Sequence, residues 1–343
     1  MGASIHDVAK RAGVSIATVS RVINHSAGVS DHKIASVTEA IEYYNFQPSQ
    51  LGKALVSGNS MTIGVYSPFY DGSMFQSGYM LECLRGIEAE IMESPYSLLL
   101  INEIKAYSQN RKSAPKFTEY ISRKKLDGLI LLAVPDDRRF RKYLESVLDQ
   151  DFPVGYIGKR FHDKGINVYA EYELYMLEAV EQLYAKGHRR IVLFPSANRT
   201  ETTSFLKESA ETRHPDLTLI LKETAMNMDM DILAETVKAL IIRENVTGII
   251  TEDLNITASI NSILNSIGKK IGDDISLISV EHIRDTGNQM LPRINCFYVP
   301  ALEMGKSVAR GILEWLQGQD NSKLSVTFRP EYMDRGSVKS CHE

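Results

Sequence analysis

Eight short apolar runs recur between residues 61 and 343: Ile63 to Tyr66, Ser97 to Ile101, Gly128 to Leu132, Val154 to Ile157, Ile191 to Phe194, Leu217 to Leu221, Gly248 to Thr251 and Ser276 to Val280. Each is four or five residues long, and segments of helical period separate them. Runs of that length bounded by turns read as strands buried on both faces, and strand–helix alternation yields parallel sheets covered by helices on each side. Two sheets fit the available length better than one long sheet.

The chain has 343 residues, which allows two or three domains at ordinary domain sizes. Its apolar runs are too short to span a bilayer and its start carries no apolar signal region, so the expectation is a cytoplasmic protein with no membrane partner. Cys83, Cys296 and Cys341 are odd in number and widely scattered, which offers neither a disulfide framework nor a metal spacing. No metal or cofactor is expected.

The first 58 residues have a different character. Ser4 and Asp7 have capping-box spacing before a helix from Ile5 to Ala12, and Gly13 ends it. Ser15 caps a second helix, Ile16 to Asn24. Ser30 caps a third, whose Ile34, Val37, Ile41 and Tyr44 lie on one stripe, with Val8, Ala9, Val14, Val19, Val22 and Ile23 as the facing apolar surface. Once that small core is assigned, Ile16, Ala17, Ser20, Arg21 and Asn24 fall on the outward stripe of the second helix. An isoleucine, a small alanine and a forked donor on one face suit a DNA major groove, which presents thymine methyls, base-edge acceptors and phosphates together. The plain alternative is a small helical bundle with one stray exposed isoleucine; the order helix, glycine turn, helix favours a helix-turn-helix. The net charge of −4 does not oppose this, because residues 1–58 hold five cations against four carboxylates and the excess of acid lies in the remainder.

DVAKRAGVSIATVSRVIN, the Ser30 helix, YYNFQPSQLGKAL and MTIGVY together resemble the start of the lactose-repressor and galactose-repressor family of bacterial transcription regulators. LRGIEAEI, KLDGLIL, GHRRIVLF, VTGIIT, IGDDISLISV and EMGKSVARGILEWLQG extend the resemblance collinearly through the chain. It implies an N-terminal all-α helix-turn-helix domain (1–47), a hinge helix and linker (48–60), and a two-lobed α/β core of periplasmic-binding-protein type with parallel sheets (61–343). Lobe 1 would take 61–158 and 295–323, and lobe 2 would take 159–294 and 324–343, with crossings near Gly158, Asn295 and Leu324.

The resemblance also implies a homodimer on an approximately palindromic double-stranded operator. Ser15, Ile16, Ala17, Thr18, Ser20, Arg21 and Asn24 would face DNA, Lys53 would touch phosphate, and Leu55 would wedge into the minor groove. Gly52 would weaken the hinge helix. No leucine heptads follow RGSVKSCHE, so a dimer is expected rather than a tetramer.

In open α/β sheets small ligands bind beyond the carboxyl ends of strands, and in two-lobed cores the cleft gathers those ends. Tyr70, Tyr79, Met80, Lys159, Arg160, Arg199, Glu252, Asp253 and Glu281 stand there. Aromatic faces for CH groups and charges for hydroxyls are what a carbohydrate requires, so a small sugar effector and a repressor of sugar-utilisation genes are expected. Three departures from the family pattern, at Thr202 to Phe205, at Glu171 and Tyr172, and at Val280 to His282, keep a phosphoprotein or atypical non-sugar effector as the alternative.

Enzyme readings find little support. No dinucleotide glycine fingerprint, phosphate loop, zinc-helix motif or nucleophile elbow occurs, and GYIGK lacks the phosphate-loop spacing. Glu252 and Asp253 read more readily as solvated or helix-capping carboxylates than as a catalytic dyad. A transport binding protein would share the core fold but has no use for a DNA module.

Overall fold

The computed structural model describes residues 3–23, 28–46, 59–68, 75, 77–103, 114–132, 138–195, 200–223 and 229–341. The N-terminal unit comprises α1 (Ile5–Ala12), α2 (Ile16–Ile23) and α3 (Asp31–Tyr44). The capping box forms as the spacing requires: Asp7 N–H donates to Ser4 Oγ, and Ser4 N–H donates back to the Asp7 carboxylate at 2.8 Å. Those bonds hold the Asp7 carboxyl below its ordinary pKa. Gly13 takes the left-handed conformation (φ +64°) that ends α1 and turns the chain into α2.

Val8, Ala9, Val19, Val37 and Ala40 form the buried core of this unit. The expected stripe on α3 is therefore rotated. Ile34 is 41% exposed and Tyr44 36%, because α1 and α2 are too short to cover more than the middle of a fourteen-residue helix. Arg11 instead lays its guanidinium over the exposed Tyr43 ring, 3.3 Å from the centroid.

The core contains two six-stranded sheets, as its length called for. The first has the order β11-β5-β4-β3-β1-β2, built from β1 (Thr62–Ser67), β2 (Ser97–Asn102), β3 (Gly128–Leu132), β4 (Val154–Gly158), β5 (Ile166–Ala170) and β11 (Ser325–Phe328), all parallel. The second has the order β12-β10-β9-β8-β6-β7, built from β6 (Arg190–Phe194), β7 (Thr218–Leu221), β8 (Gly248–Thr251), β9 (Ser276–Glu281), β10 (Asn295–Tyr298) and β12 (Glu331–Met333); only β12 runs antiparallel. All eight apolar runs are strands. β3 and β9 are buried at every residue, as parallel strands covered on both faces must be.

Helices α4 (Gly78–Met92), α5 (Lys116–Ser122), α6 (Arg138–Leu148) and α11 (Ala301–Leu316) accompany the first sheet. Helices α7 (Tyr172–Ala185), α8 (Thr200–Arg213), α9 (Met230–Ile242) and α10 (Leu254–Ser266) accompany the second. The α4–α11 contact is glycine-mediated: a Cβ on Gly86 would overlap the Leu302 carbonyl, and one on Gly305 would overlap the Cys83 carbonyl.

Each of the three expected crossings falls later in the chain than the sequence reading placed it. Ile166 pairs beside Gly155, so β5 stays in the first sheet and the chain leaves after Ala170 rather than near Gly158. Asn295 pairs with Ile278, so β10 stays in the second sheet and the return follows Tyr298. Ser325 pairs with Asn167, which moves the last crossing from Leu324 to the stretch between Phe328 and Glu331. In each case a short strand adds itself to the edge it is leaving, where unpaired backbone donors and acceptors await partners.

Candidate DNA-binding face and effector cleft

Helix α2 is set by its cap and by one buried residue. Thr18 N–H donates to Ser15 Oγ at 3.2 Å, and Val19 is wholly buried against α1 and α3. Ile16, 40% exposed, stands with exposed Ala17 and Arg21 on the outer face, while Thr18 and Ser20 are half-buried. Thr18 shares a 3.0 Å hydroxyl contact with Ser15, so both hydroxyls take part in the cap. Asn24, Lys53, Leu55, Tyr70 and Arg199, together with Gly52, lie outside the described residues.

The carboxyl ends of both sheets converge on a cleft. On the lobe 1 side, Tyr79 in the first turn of α4 meets His282, the residue after β9, edge to face at 5.1 Å. Gly158 (φ +112°) brings the end of β4 beside the Tyr79 hydroxyl, 3.5 Å from where a Cβ would stand. On the other side the Tyr172 hydroxyl donates to the Glu252 carboxylate. A second carboxylate is buried at the mouth of lobe 1: Glu103, following β2, accepts from Tyr66 Oη at 2.8 Å and from Lys116 N–H at 3.1 Å.

Glu103, Tyr172 and His282 were not among the residues expected from the sequence. Glu103 could have been, since it follows the run SLLLI as directly as Glu252 follows GIIT. Tyr172 and His282 entered only as departures from a family pattern.

Other expected contacts are redirected. Glu281 is buried and its carboxylate is fully engaged: Arg335 donates at 2.7 and 3.2 Å, Asp285 N–H at 3.1 Å and Gly287 N–H at 2.7 Å. It organises the loop after β9 and offers nothing to a ligand. Met80 packs in the core with Cys83 and Ile87, because the first turn of α4 turns that side chain onto the sheet. Burial there pushes the Cys83 thiol up to about 12.

Arg160 pairs with Asp163 at 2.9 Å in an open notch of about 310 Å³ lined also by Arg141, Phe161 and His162. Lys159 Nζ lies 5.8 Å from the Phe161 ring centroid. These contacts group both cations with Phe161 rather than with Tyr79 and His282. Asp253 caps α10, its Oδ1 accepting from Asn255 N–H at 2.7 Å. Below it the hydroxyls of Thr251, Thr257 and Ser279 form a buried ring with 2.6 to 2.9 Å spacings.

Among the described residues no group of three or more histidine, cysteine or acidic side chains could hold a metal ion, and no helix is long and apolar enough to cross a membrane.

Comparison with known proteins agrees with this arrangement. Residues 4–49 match the family model for bacterial regulatory proteins of the lacI family, and residues 180–338 match that for periplasmic binding protein-like domains. The HTH-type transcriptional repressor PurR of Vibrio atlanticus (strain LGP32) is 24% identical over 345 residues, covering 98% of this chain and 99% of its own. The lac repressor dimer bound to operator and the anti-inducer ONPF superposes with a TM-score of 0.83 at 18% identity, covering 99% of this chain and 100% of that one. The transcriptional regulator CelR in complex with cellobiose superposes with a TM-score of 0.65 at 18% identity, covering 98% and 99%. With the capped α1–turn–α2 pair at its start and two parallel sheets facing each other behind it, the chain belongs to the lacI family: it is a DNA-binding transcriptional regulator and not an enzyme.

Proposed function

We propose that this regulator is a homodimeric repressor whose operator affinity is set by a small carbohydrate bound between the lobes. The observation that carries the reading is the make-up of the cleft mouth. Carboxylates of both lobes, Glu103 and Glu252, each accept from a tyrosine hydroxyl, and the Tyr79 and His282 rings lie between them in sequence-distant strands' ends. Carboxylates and phenols bond vicinal hydroxyls, and aromatic faces take the CH side of a pyranose. The complex of the neighbour CelR with cellobiose supports the same ligand class.

A dimer is supported by the outer edge of lobe 1. β2 ends the first sheet with Leu100 41% exposed, beside exposed Leu81 and Met92 of α4, an apolar strand edge that calls for a partner. Ile16, Ala17, Ser20 and Arg21 read base edges in this scheme, and Ser15 and Thr18 fix the helix that presents them.

The test is thermal unfolding of the full chain against mono- and oligosaccharides, with purine and pyrimidine bases as a second panel. A ligand that binds only the folded state raises the melting temperature, by about 2.7 kcal/mol of added stability at a hundredfold excess over Kd. A sugar that does so and shifts operator affinity supports the proposal; a response confined to the bases overturns it.

A further inference from the structure

All three interlobe crossings are held by residues at the carboxyl end of the second sheet. The first crossing, after Ala170, is tied through Tyr172 to Glu252 at the end of β8. The other two are tied by one side chain from the loop after β9. Arg284 Nη2 donates to the Glu331 carboxylate at 2.7 Å, and its guanidinium lies 4.5 Å from the centroid of the Tyr298 ring. Tyr298 is the last residue of β10, just before the chain returns to lobe 1; Glu331 is the first of β12, just after the chain comes back.

The same loop carries His282, which meets Tyr79 of lobe 1. Its shape is fixed from below, by Glu281 accepting from the Asp285 and Gly287 amides and by Arg335 bridging Glu281 and Asp285. A five-residue loop thus touches the opposite lobe with one side chain and both neighbouring crossings with another, two positions along.

We propose that Arg284 is a positioning residue that couples the cleft to the hinge: movement of the loop at His282 is carried by Arg284 to Tyr298 and Glu331 and changes the angle between the lobes. The inference rests on the cleft being the effector site, but its mechanical content does not depend on which effector binds. An exposed ion pair contributes little to global stability because water screens it. A pair that joins two chain crossings restricts their relative motion all the same. Coupling and stability therefore separate, and the experiment reads both.

The probe is the interlobe distance in the ligand-free full chain, measured between spin labels at Glu145→Cys on α6 and Glu235→Cys on α9. The background is Cys341→Ser, since Cys83 and Cys296 are buried. Excess unlabelled chain keeps one labelled protomer per dimer.

The reference chain should give one narrow distance distribution. Arg284→Ala and Glu331→Gln should each broaden it or add a second distance, with the melting temperature unchanged. Arg284→Lys keeps the charge but loses the planar stack on Tyr298, and should fall between. Arg123→Ala, which removes an exposed ion pair with Glu119 away from the hinge, should change nothing. Distributions for Arg284→Ala and Glu331→Gln that superimpose on that of Arg123→Ala overturn the inference, as does broadening that only accompanies a lowered melting temperature. No effector is added, so a failed sugar screen and a failed coupling test remain distinct results.

Discussion

Arg335 and Glu281 form an ion pair that is almost completely enclosed: the arginine side chain is 7% exposed, the glutamate side chain 0%, and they meet at 2.7 Å. The pair fastens the C-terminal segment to the end of β9, and Asn295 completes the attachment by accepting from Arg335 N–H at 2.8 Å and Ser337 N–H at 2.9 Å. Removing one partner leaves a buried charge with no counterpart. Arg335→Leu should therefore cost about 3–5 kcal/mol of folding stability, while the double replacement Glu281→Leu/Arg335→Leu should recover part of that loss. Urea unfolding of the three chains checks this; a single variant as stable as the double one would show that the pair is not what holds the segment.

The α4–α11 contact makes a steric prediction. A Cβ on Gly305 would overlap a backbone carbonyl, that of Cys83, and neither helix can move away without opening the core beneath. Gly305→Ala and Gly86→Ala should each cost about 1–3 kcal/mol or more, by overpacking. Gly78 begins the same α4 with nothing within 4 Å of its Cβ position, so Gly78→Ala should be neutral or slightly stabilising. Equal melting temperatures for the Gly305 and Gly78 variants would mean that the helices separate at no cost.

His188 supplies a pH dependence. It is 3% exposed, bonded to Thr247 Oγ1 at 2.8 Å and to the Lys339 carbonyl at 3.1 Å, and burial holds its pKa below the ordinary 6.5. The folded state then binds fewer protons than the unfolded state below pH 6.5, so stability is complete above that value and falls as the pH drops through it toward the folded pKa. His188→Gln should flatten this part of the melting-temperature profile between pH 7.5 and pH 5. Parallel profiles for the two chains would assign the acid sensitivity elsewhere.

For DNA reading, Arg21→Ala should lose ~1–3 kcal/mol of operator affinity and relax preference at one base position, as expected of a donor to a guanine edge. Ile16→Ala should act at a different position, through lost contact with a base edge. Selection of bound sequences from a randomised operator pool distinguishes the two outcomes. A uniform loss on all sequences would move Arg21 from base reading to phosphate contact.

The sequence by itself determined the elements. Apolar runs of four to five residues, such as GLILL and SLISV, are too short for helices and too continuous for half-exposed strands, so they could only become the central strands of covered sheets. The capping box at Ser4 and Asp7 and the turn at Gly13 likewise act within a few residues, and local patterning was sufficient to set α1 and α2. Tertiary structure decided what depends on partners distant in the chain. β5, β10 and β11 contain polar residues and little run length, and they exist because an edge strand offered them hydrogen bonds, which is why every crossing moved past its expected place.

The cleft divides in the same way. That Glu252 and Glu281 follow strands was legible; that Glu281 belongs to Arg335, 54 residues later, was not. A carboxylate at a strand end looks the same in sequence whether it meets a ligand or a buried guanidinium, and only the path of the C-terminal segment decides between them.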